Sequence, residues 1–406
     1  MRVVYHIGIY FYGILISVAS LFNAKAKKRF LGQQQVFSQL KSFLEKRDNN
    51  FLVWFHAASL GEFEQGRPIM ERLREKHPEY TILLTFFSPS GYELRKNYNG
   101  ADWVCYLPLD TARNAKRFVE LVNPAKVIFI KYEFWPNFLS YCKKKQIPTY
   151  IVSASFRESQ LFFKWYGFPY AKLLKAFDII FVQDEQSRAL LDTIQVNNVV
   201  VAGDTRFDRV AQIAENHKPL PLLQRFKNKH KLIVVGSSWP KDEELLCVYI
   251  NETETGKFVI APHEIHESHL AQIEANISVP TVRFSQATPE AFDTARCLLI
   301  DNIGMLSSIY KYADIAYIGG GFGVGIHNVL EAAVYNIPVV FGPNYQKFKE
   351  ARDLIKLGGG FAVSDFVELQ STLDWLLLHP DAGTIAGGYT QQQKGATAKI
   401  IQAIFN

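Results

Sequence analysis

Two glutamates occupy matching places in the chain. Glu62 follows the apolar run Phe51–His56, Glu133 follows the apolar run Lys126–Ile130, and each precedes a helical pattern. We expect both side chains on loops between a strand end and a helix start, at one edge of a parallel sheet. A carboxylate in such a place can accept the proton of an attacking hydroxyl group as a general base.

Each glutamate also has a purely structural interpretation. Ser59 and Glu62 have the spacing of a capping box, in which the carboxylate only accepts backbone N–H groups. Pro136 suits the first turn of a helix, so Glu133 could serve only to complement the helix dipole. The spacing leaves both interpretations open, although two carboxylates at matching strand ends favour chemistry.

Five glycines lie within the seven residues from Gly319 to Gly325, ahead of a helix predicted to begin near Val329. Glycine lets the backbone approach a ligand closely, and a helix N-terminus presents free amides to an anion such as a phosphate. The order of the glycines matches neither the dinucleotide fingerprint nor the P-loop. Asn328 and Glu331 could be only a capping pair.

Three histidines follow Pro262 at intervals of three, at positions 263, 266 and 269. On a helix this spacing spreads the side chains over about 120°, which does not suit one zinc ion. We therefore expect a surface helix after Pro262 and no metal site.

Short β-branched and aromatic runs alternate with longer helical patterns from residue 51 onward. Such alternation is typical of parallel sheets that are buried on both faces. It predicts an α/β protein with two doubly wound, Rossmann-like domains facing a cleft, where such sheets bind ligands. The candidate strands are Phe51–His56, Thr81–Phe86, Trp103–Tyr106, Lys126–Ile130, Thr149–Val152, Asp178–Val182 and Asn198–Ala202, then Lys231–Val235, Lys257–Ile260, Cys297–Ile300, Asp314–Ile318 and Pro338–Phe341.

The segment Phe207–His230 has no clear strand and contains Pro219 and Pro221, which predicts a domain boundary. We expect a linker at 209–230 between an acceptor-binding domain at 30–208 and a donor-binding domain at 231–390. A membrane anchor with a basic flank would occupy 1–29. A C-terminal helix at 391–406 would pack back on the N-terminal domain.

The segment Val3–Ala24 contains no Asp, Glu, Lys or Arg and is just long enough to cross a bilayer as a helix. Lys25, Lys27, Lys28 and Arg29 follow at once, which would keep the rest of the chain in the cytoplasm. The alternatives are a helix lying on the membrane, a buried helix and a cleaved signal peptide.

Composition narrows the class of protein. The 406 residues are 48% hydrophobic, and 45 Lys and Arg against 39 Asp and Glu leave a net charge of +6. A net charge of +6 spread over the whole chain is not the concentrated positive charge of a nucleic-acid binder. The four scattered cysteines exclude a disulfide scaffold and a cysteine-ligated metal centre.

An ordered set of sequence blocks, from residue 50 to 345, resembles the 3-deoxy-D-manno-octulosonic acid (Kdo) transferases. These are membrane-associated glycosyltransferases of lipopolysaccharide inner-core synthesis. The resembling blocks are His56–Glu62, Ser88–Tyr92, Leu107–Asp110, Tyr132–Asn137, Ser153–Arg157, Gly203–Asp208, Gly236–Trp239, Ala261–Pro262 and the glycine loop through Glu331.

The resemblance implies a GT-B fold, a CMP-Kdo donor, a lipid A precursor as acceptor, a place at the inner membrane, and no cofactor or metal. Glu62 matches the catalytic base and Glu133 a residue that stabilises the transition state. Arg206 stands where many members have a catalytic-site Lys, and His263 where many have Arg. The matching CMP-Kdo segments comprise Pro262, His263, Ile303, Gly304, Met305, Asn328, Val329, Leu330 and Glu331.

The stretch Phe156–Phe177 interleaves eight aromatic residues with four basic ones. This pattern suits a phosphorylated lipid at a membrane surface, and equally an aromatic core packed on a sheet. Two other functions compete with Kdo transfer. One is another GT-B enzyme, such as a nucleotide-sugar transferase or a UDP-sugar 2-epimerase, and the other is an inactive membrane-anchored lipid-binding module.

Overall fold

The computed structural model describes residues 2–46, 51–217 and 219–406. Met1 of the predicted anchor, residues 47–50 of the predicted acceptor domain and Lys218 of the predicted linker lie outside the described residues. The chain divides into two compact units. The first domain comprises Met1–Arg209 with Gly395–Asn406, and the second comprises Val210–Lys394.

The first domain is built on seven parallel strands in the order β3-β2-β1-β4-β5-β6-β7. The order reverses between β1 and β4, and in open parallel sheets ligands bind at such a switch point, beyond the carboxyl ends of the strands. The strands are β1 Leu52–Ala57, β2 Thr81–Phe86, β3 Trp103–Tyr106, β4 Lys126–Ile130, β5 Thr149–Ala154, β6 Ile179–Val182 and β7 Val199–Val201. The helices are α1 Arg2–Ala19, α2 Ala24–Leu44, α3 Leu60–Lys76, α4 Pro89–Arg95, α5 Ala112–Val122, α6 Pro136–Lys144, α7 Phe168–Leu174, α8 Glu185–Thr193 and α9 Thr205–Glu215.

The sheet of the first domain is covered on both faces. Every residue of β1 is buried, and its alternating side chains enter two separate apolar clusters. Trp54 packs with Phe118 and Phe138 in one cluster, while Phe55 lies in the other. Burial on both faces explains the continuous apolar runs in the sequence.

The second domain has its own seven-stranded parallel sheet, ordered β10-β11-β9-β8-β12-β13-β14, with its switch point between β8 and β12. Its strands are β8 Leu232–Ser238, β9 Lys257–Pro262, β10 Thr281–Arg283, β11 Cys297–Leu299, β12 Ile315–Ile318, β13 Val339–Phe341 and β14 Gly360–Ala362. Its helices are α10 Pro221–Lys227, α11 Pro240–Glu252, α12 Glu267–Asn276, α13 Pro289–Thr294, α14 Leu306–Ile309, α15 Leu330–Ala333, α16 Lys349–Leu357, α17 Phe366–Leu378 and α18 Asp381–Gln392.

All the strands predicted from the sequence are present, with ends shifted by a few residues at most, whereas β10 and β14 were not predicted. Helix α10 lies inside the predicted linker. The cleft that the sequence predicts between the two domains stays a prediction.

The last helix, α19 Ala396–Phe405, belongs to the first domain. The Asp208 carboxylate accepts the backbone N–H groups of Gly395 and Thr397, both at 2.7 Å. Ile400 and Ile404 are buried in the cluster that also holds Phe55.

The apolar N-terminal segment does not form one long helix. Helix α1 ends at Ala19, and Asn23 begins α2 by accepting the backbone N–H groups of Lys25 and Ala26. Within the described ranges, no helix is both long and apolar enough to cross a membrane. The spanning anchor predicted from Val3–Ala24 is therefore not supported.

Helix α1 is instead two-sided. One side contacts the domain, where the Tyr5 hydroxyl donates to Asp110 Oδ2 at 2.7 Å and Ile9 is buried. The other side exposes large apolar residues at helical spacing, namely Val3, Val4, Ile7, Tyr10, Phe11, Ile14, Leu15 and Val18. Contact on one side and apolar exposure on the other is typical of a helix lying on a membrane.

The aromatic stretch Phe156–Phe177 contains residues that fit each of its two interpretations. Phe156 and Phe177 are buried in the core, whereas Trp165 is 92% exposed. A cavity of about 710 Å³ is lined by Phe162, Phe163, Trp165, Phe168 and three lysines, Lys164, Lys172 and Lys175. The stretch therefore supplies both core and an aromatic, basic surface.

Candidate active site

Glu62 lies at the switch point of the first sheet. Helix α3 begins at Leu60, so Glu62 is in its first turn rather than on the loop that we predicted. Its Oε2 accepts the backbone N–H groups of Ala58 at 2.5 Å and Ser59 at 3.2 Å. Glu62 therefore makes the backbone contacts of a helix cap, and these contacts fix the direction of its carboxylate.

Capping does not keep the Glu62 carboxyl acidic. Burial and, to a smaller extent, the neighbouring Glu133 raise its pKa to about 7. The backbone N–H group of Ala58 and the charge of Lys131 act in the opposite direction, but they do not overcome burial. A carboxylate with a pKa near neutrality is suited to accept a proton in catalysis.

Glu133 lies on the loop between β4 and α6, where the sequence predicted it, and its residue is only 8% exposed. Trp135 Nε1–H donates to its Oε2 at 2.7 Å, and His56 Nε2 lies 2.9 Å from the same oxygen. On its other side, His56 Nδ1 is 2.8 Å from the Thr85 hydroxyl. The same Nδ1 also lies 3.1 Å from the Thr85 carbonyl oxygen, so the His56 ring bridges Thr85 and Glu133.

Sequence reasoning missed His56 as part of this site. The available signal is one histidine at the end of a run that is otherwise apolar and becomes a fully buried strand. A buried polar ring at a strand end needs a partner, and Glu133 supplies it from 77 residues away. His56 positions Glu133 from inside the sheet.

Arg206, the third predicted catalytic residue, lies in the first turn of α9. Its Nε donates to Asp204 Oδ2 at 2.8 Å, and its Nη2 lies 2.7 Å from the same oxygen. The two residues form a planar ion pair at the end of the β7–α9 loop.

The glycine loop follows β12 at the switch point of the second sheet. Gly320 and Gly325 have positive φ angles, which side-chain-bearing residues rarely adopt. A Cβ atom on Gly321 would lie 2.5 Å from the backbone nitrogen of Gly342. The Asp242 carboxylate holds the loop by accepting the Gly320 N–H at 2.8 Å. Gly320, Gly321 and Gly325 are therefore required by the shape of the loop.

Three aromatic rings meet beside this loop. The His263 ring stacks on Trp239 with centroids 4.6 Å apart, and the centroid of the His327 ring also lies 4.6 Å from that of His263. Trp239 Nε1–H donates to His327 Nε2 at 3.1 Å, so a neutral His327 carries its proton on Nδ1. Burial lowers the pKa of His327, and His263 lowers it further. The sequence predicted His263 but missed His327 and the role of Trp239.

The remaining residues that were predicted to bind the CMP-Kdo donor differ in exposure. Pro262 ends β9 and is buried, and Val329 and Leu330 are buried too. The others lie on loops or at helix starts: Ile303 is exposed, Gly304 has a positive φ angle, and Met305 precedes α14.

Asn328 and Glu331 make the capping contacts that the sequence left open. The Asn328 side chain accepts the Leu330 N–H at 3.2 Å and donates to Glu331 at 3.0 Å. Helix α15 begins at Leu330 and is only four residues long.

The three histidines after Pro262 separate. The expected helix after Pro262 is present as α12, but it begins only at Glu267 and does not include His263. His266 precedes α12, and His269 lies within it, with Nε2 2.7 Å from Glu243. His263 instead joins the three-ring cluster.

A family model described as 3-deoxy-D-manno-octulosonic-acid transferase (kdotransferase) matches residues 26–209, which contain Glu62, Glu133 and Arg206. A 3-deoxy-D-manno-octulosonic acid transferase of Aquifex aeolicus is 29% identical over 84% of this chain and 91% of its own length. These matches support the Kdo transferase family for this chain.

Two further Kdo transferases match a similar share of this chain. That of Chlamydophila psittaci is 28% identical over 81% of this chain and 78% of its own, and that of Bordetella pertussis is 27% identical over 87% and 86%. Among solved structures, a UDP-GlcNAc 2-epimerase from Neisseria meningitidis bound to UDP-GlcNAc gives a TM-score of 0.62 at 15% identity, covering 87% of this chain and 99% of that one. The Acinetobacter baumannii MurG structure gives 0.54 at 14%, covering 87% and 99%. These structures share the GT-B-like arrangement of two parallel-sheet domains.

Proposed function

We propose that this protein transfers Kdo from CMP-Kdo to a lipid A precursor with inversion at the anomeric carbon. Glu62 is the general base. The acceptor hydroxyl attacks the anomeric carbon, its proton passes to a Glu62 oxygen, and the bond from Kdo to the CMP phosphate breaks. The observation that carries the proposal is a switch-point carboxylate whose pKa lies at about 7 and whose direction is fixed by Ala58 and Ser59.

Glu133 has a different part in this proposal. It is buried, and the Trp135 indole and the His56 ring hold its Oε2. A fixed negative charge stabilises the positive charge that develops on the sugar ring in an oxocarbenium-like transition state. It also raises the pKa of Glu62, so the two carboxylates have separate tasks. Arg206, fixed on Asp204, would supply positive charge near the reacting groups.

The donor is assigned to the second domain through the similarity to Kdo transferases. Pro262, His263, the Ile303–Met305 segment and the Asn328–Glu331 segment would hold CMP-Kdo. The glycine loop allows close approach of the backbone to the donor, and its N–H groups suit a phosphate. No metal or cofactor is part of the proposal.

The acceptor is a lipid, so the protein has to meet a membrane. The exposed apolar side of α1 suits a helix that lies in the membrane surface, and the exposed Trp165 and its lysine neighbours suit the headgroup region. We place the protein on the cytoplasmic face of the inner membrane, attached peripherally.

The test is incubation of the purified chain with CMP-Kdo and lipid A precursor, followed by the mass of the lipid product. We expect Glu62→Gln to lower kcat by about a hundredfold or more, because the amide cannot accept the proton. The matched control is Glu75→Gln, an exposed carboxylate on the same helix, which should keep full activity.

Unchanged turnover in Glu62→Gln, with normal folding, would contradict the mechanism. Calorimetry with CMP and UDP separates the remaining alternatives. Preference for UDP would favour the 2-epimerase or another nucleotide-sugar transferase, and lipid binding without turnover would favour an inactive binding module.

A further inference from the structure

The first domain contains a basic pocket to which no role has been given. It has a volume of about 400 Å³ and lies between α1, α2, the β3–α5 connection and α5. Its lining includes three arginines, Arg29, Arg113 and Arg117, and no Asp or Glu. We call it the arginine pocket.

Arg29 forms the inner wall of the arginine pocket and is only 6% exposed. Its Nη1 donates to the Tyr12 hydroxyl, and its guanidinium lies 3.6 Å from the centre of the Phe87 ring. Its Nε and Nη2 atoms are buried without a hydrogen-bond acceptor among the described residues. A buried guanidinium with unpaired N–H groups is costly, so the site favours an anionic ligand that accepts them.

Arg113 and Arg117 form the outer wall, one turn apart on α5. Both are exposed, and in the described part of the chain neither is paired with a carboxylate. The Arg117 guanidinium rests on the Phe37 ring, 4.1 Å from its centre. Asp110, close by in sequence, accepts hydrogen bonds from Tyr5, Asn137 and Phe138 instead.

The three guanidinium groups of the arginine pocket indicate which class of ligand it binds. Planar guanidinium groups bind phosphate oxygens in pairs, and they are charged at every physiological pH. Two more donors line the pocket: the side chains of Gln33 and Asn114, whose amides also anchor to backbone carbonyls of Leu107 and Leu109. A phosphate group is the ligand that this set fits.

The walls indicate that the phosphate belongs to a lipid. Gly13 and Ile16 of α1 line the pocket, and their helical neighbours Ile14, Leu15 and Val18 are about half exposed or more. A phosphate bound here would therefore lie beside an exposed apolar surface that can contact acyl chains.

We propose that the arginine pocket binds the phosphate group of a membrane lipid. The lipid is either the phosphorylated acceptor or an anionic phospholipid of the membrane. The proposal rests on the surface attachment of α1 proposed above, and only the acceptor case requires Kdo transfer.

The experiment compares the full chain, the double variant Arg113→Gln/Arg117→Gln and the control Lys116→Gln/Lys145→Gln. The control removes the same charge from exposed positions on α5 and at the end of α6 that do not line the pocket. One arm measures sedimentation with phosphatidylcholine vesicles, with and without phosphatidylglycerol. The other measures the KM of the acceptor in detergent without phospholipid, with the acceptor phosphates present or removed.

If the ligand is a phospholipid, the arginine variant loses the preference for phosphatidylglycerol vesicles by roughly tenfold relative to the control. If the ligand is the acceptor, its KM rises by a similar factor only when the acceptor carries phosphates. Either result supports the pocket. Equal behaviour of the two double variants in both arms overturns it.

The two proposals fail separately. A wild-type chain that transfers no Kdo would contradict the proposed function, while the vesicle arm would still decide whether the pocket binds a phospholipid phosphate.

Discussion

The switch points of the two sheets have the same strand geometry and opposite chemistry. At the first, Glu62 and Glu133 bring two carboxylates together above buried strands. At the second, the rings of Trp239, His263 and His327 meet beside the glycine loop, and the nearby Asp242 carboxylate accepts the Gly320 N–H. In the proposed function, the first edge accepts a proton and the second binds the anionic donor.

The difference lies in what holds each group. His56, which lies inside the first sheet and is fully buried, supports Glu133 from below. The rings at the second edge contact one another at accessible positions, since Trp239 and His263 are exposed and His327 is half-buried. Proton transfer requires a fixed group in a dry place, whereas donor exchange requires an accessible one.

The largest effect that separates the two edges is in the pH dependence of the rate. Glu62 accepts a proton only when ionised, and its pKa is about 7. We expect kcat/KM to fall about fiftyfold between pH 7 and pH 5, because about half of Glu62 is ionised at pH 7 and about one hundredth at pH 5. In Glu133→Gln, loss of the neighbouring charge lowers the pKa of Glu62 and moves the acid limb to lower pH.

Steady-state kinetics across this pH range checks the expectation. Trp239→Phe, at the other edge, should leave the position of the limb unchanged. If the acid limb of the pH profile stays at the same pH in Glu133→Gln, the charge of Glu133 does not influence the pKa of Glu62.

The next effect is on stability. His56→Phe keeps an aromatic ring but removes one hydrogen-bond partner from each of the buried residues Glu133 and Thr85, so we expect a loss of about 2 kcal/mol in the free energy of unfolding. Trp239→Phe removes one hydrogen bond at an exposed position and should cost about 1 kcal/mol or less. Denaturant unfolding monitored by circular dichroism measures both. Equal losses would contradict the contrast between a buried and an accessible edge.

The smallest effect compares two glycines of one loop. In Gly321→Ala the new Cβ meets the backbone of Gly342, which cannot move aside as a side chain would, so we expect a loss of about 1 kcal/mol and weaker donor binding. Gly323→Ala is the matched control, because its Cβ would meet only Gly320 O at 3.6 Å. Thermal unfolding and donor calorimetry compare them, and equal values for both variants would refute a shape-determined loop.

The strands could be predicted because burial on both faces leaves continuous apolar runs. The two strands that were missed, β10 and β14, are the outermost of the second sheet and only three residues long. Thr281–Arg283 is half-buried along its length, and Gly360–Ala362 begins with a glycine. An edge strand pairs on one side only, so it needs neither length nor a continuous apolar pattern.

The site could be predicted in part. Glu62 and Glu133 were found because each directly follows a strand. His56 and His327 were missed because their partners lie 77 and 88 residues away, and only the fold brings them together. Arg29 was predicted only as part of the basic flank that orients an anchor. It is buried instead, because α2 packs Val36 and Leu40 into the domain and carries Arg29 inward.

The position of α19 has a consequence for how the protein is made. Synthesis proceeds from the N-terminus, and domains generally fold as they emerge. The first domain, however, needs Ile400 and Ile404 to complete its core, and these residues are made after the entire second domain. On the ribosome, the domain that begins first is thus completed last, and a short deletion at the C-terminus would damage the domain that carries Glu62.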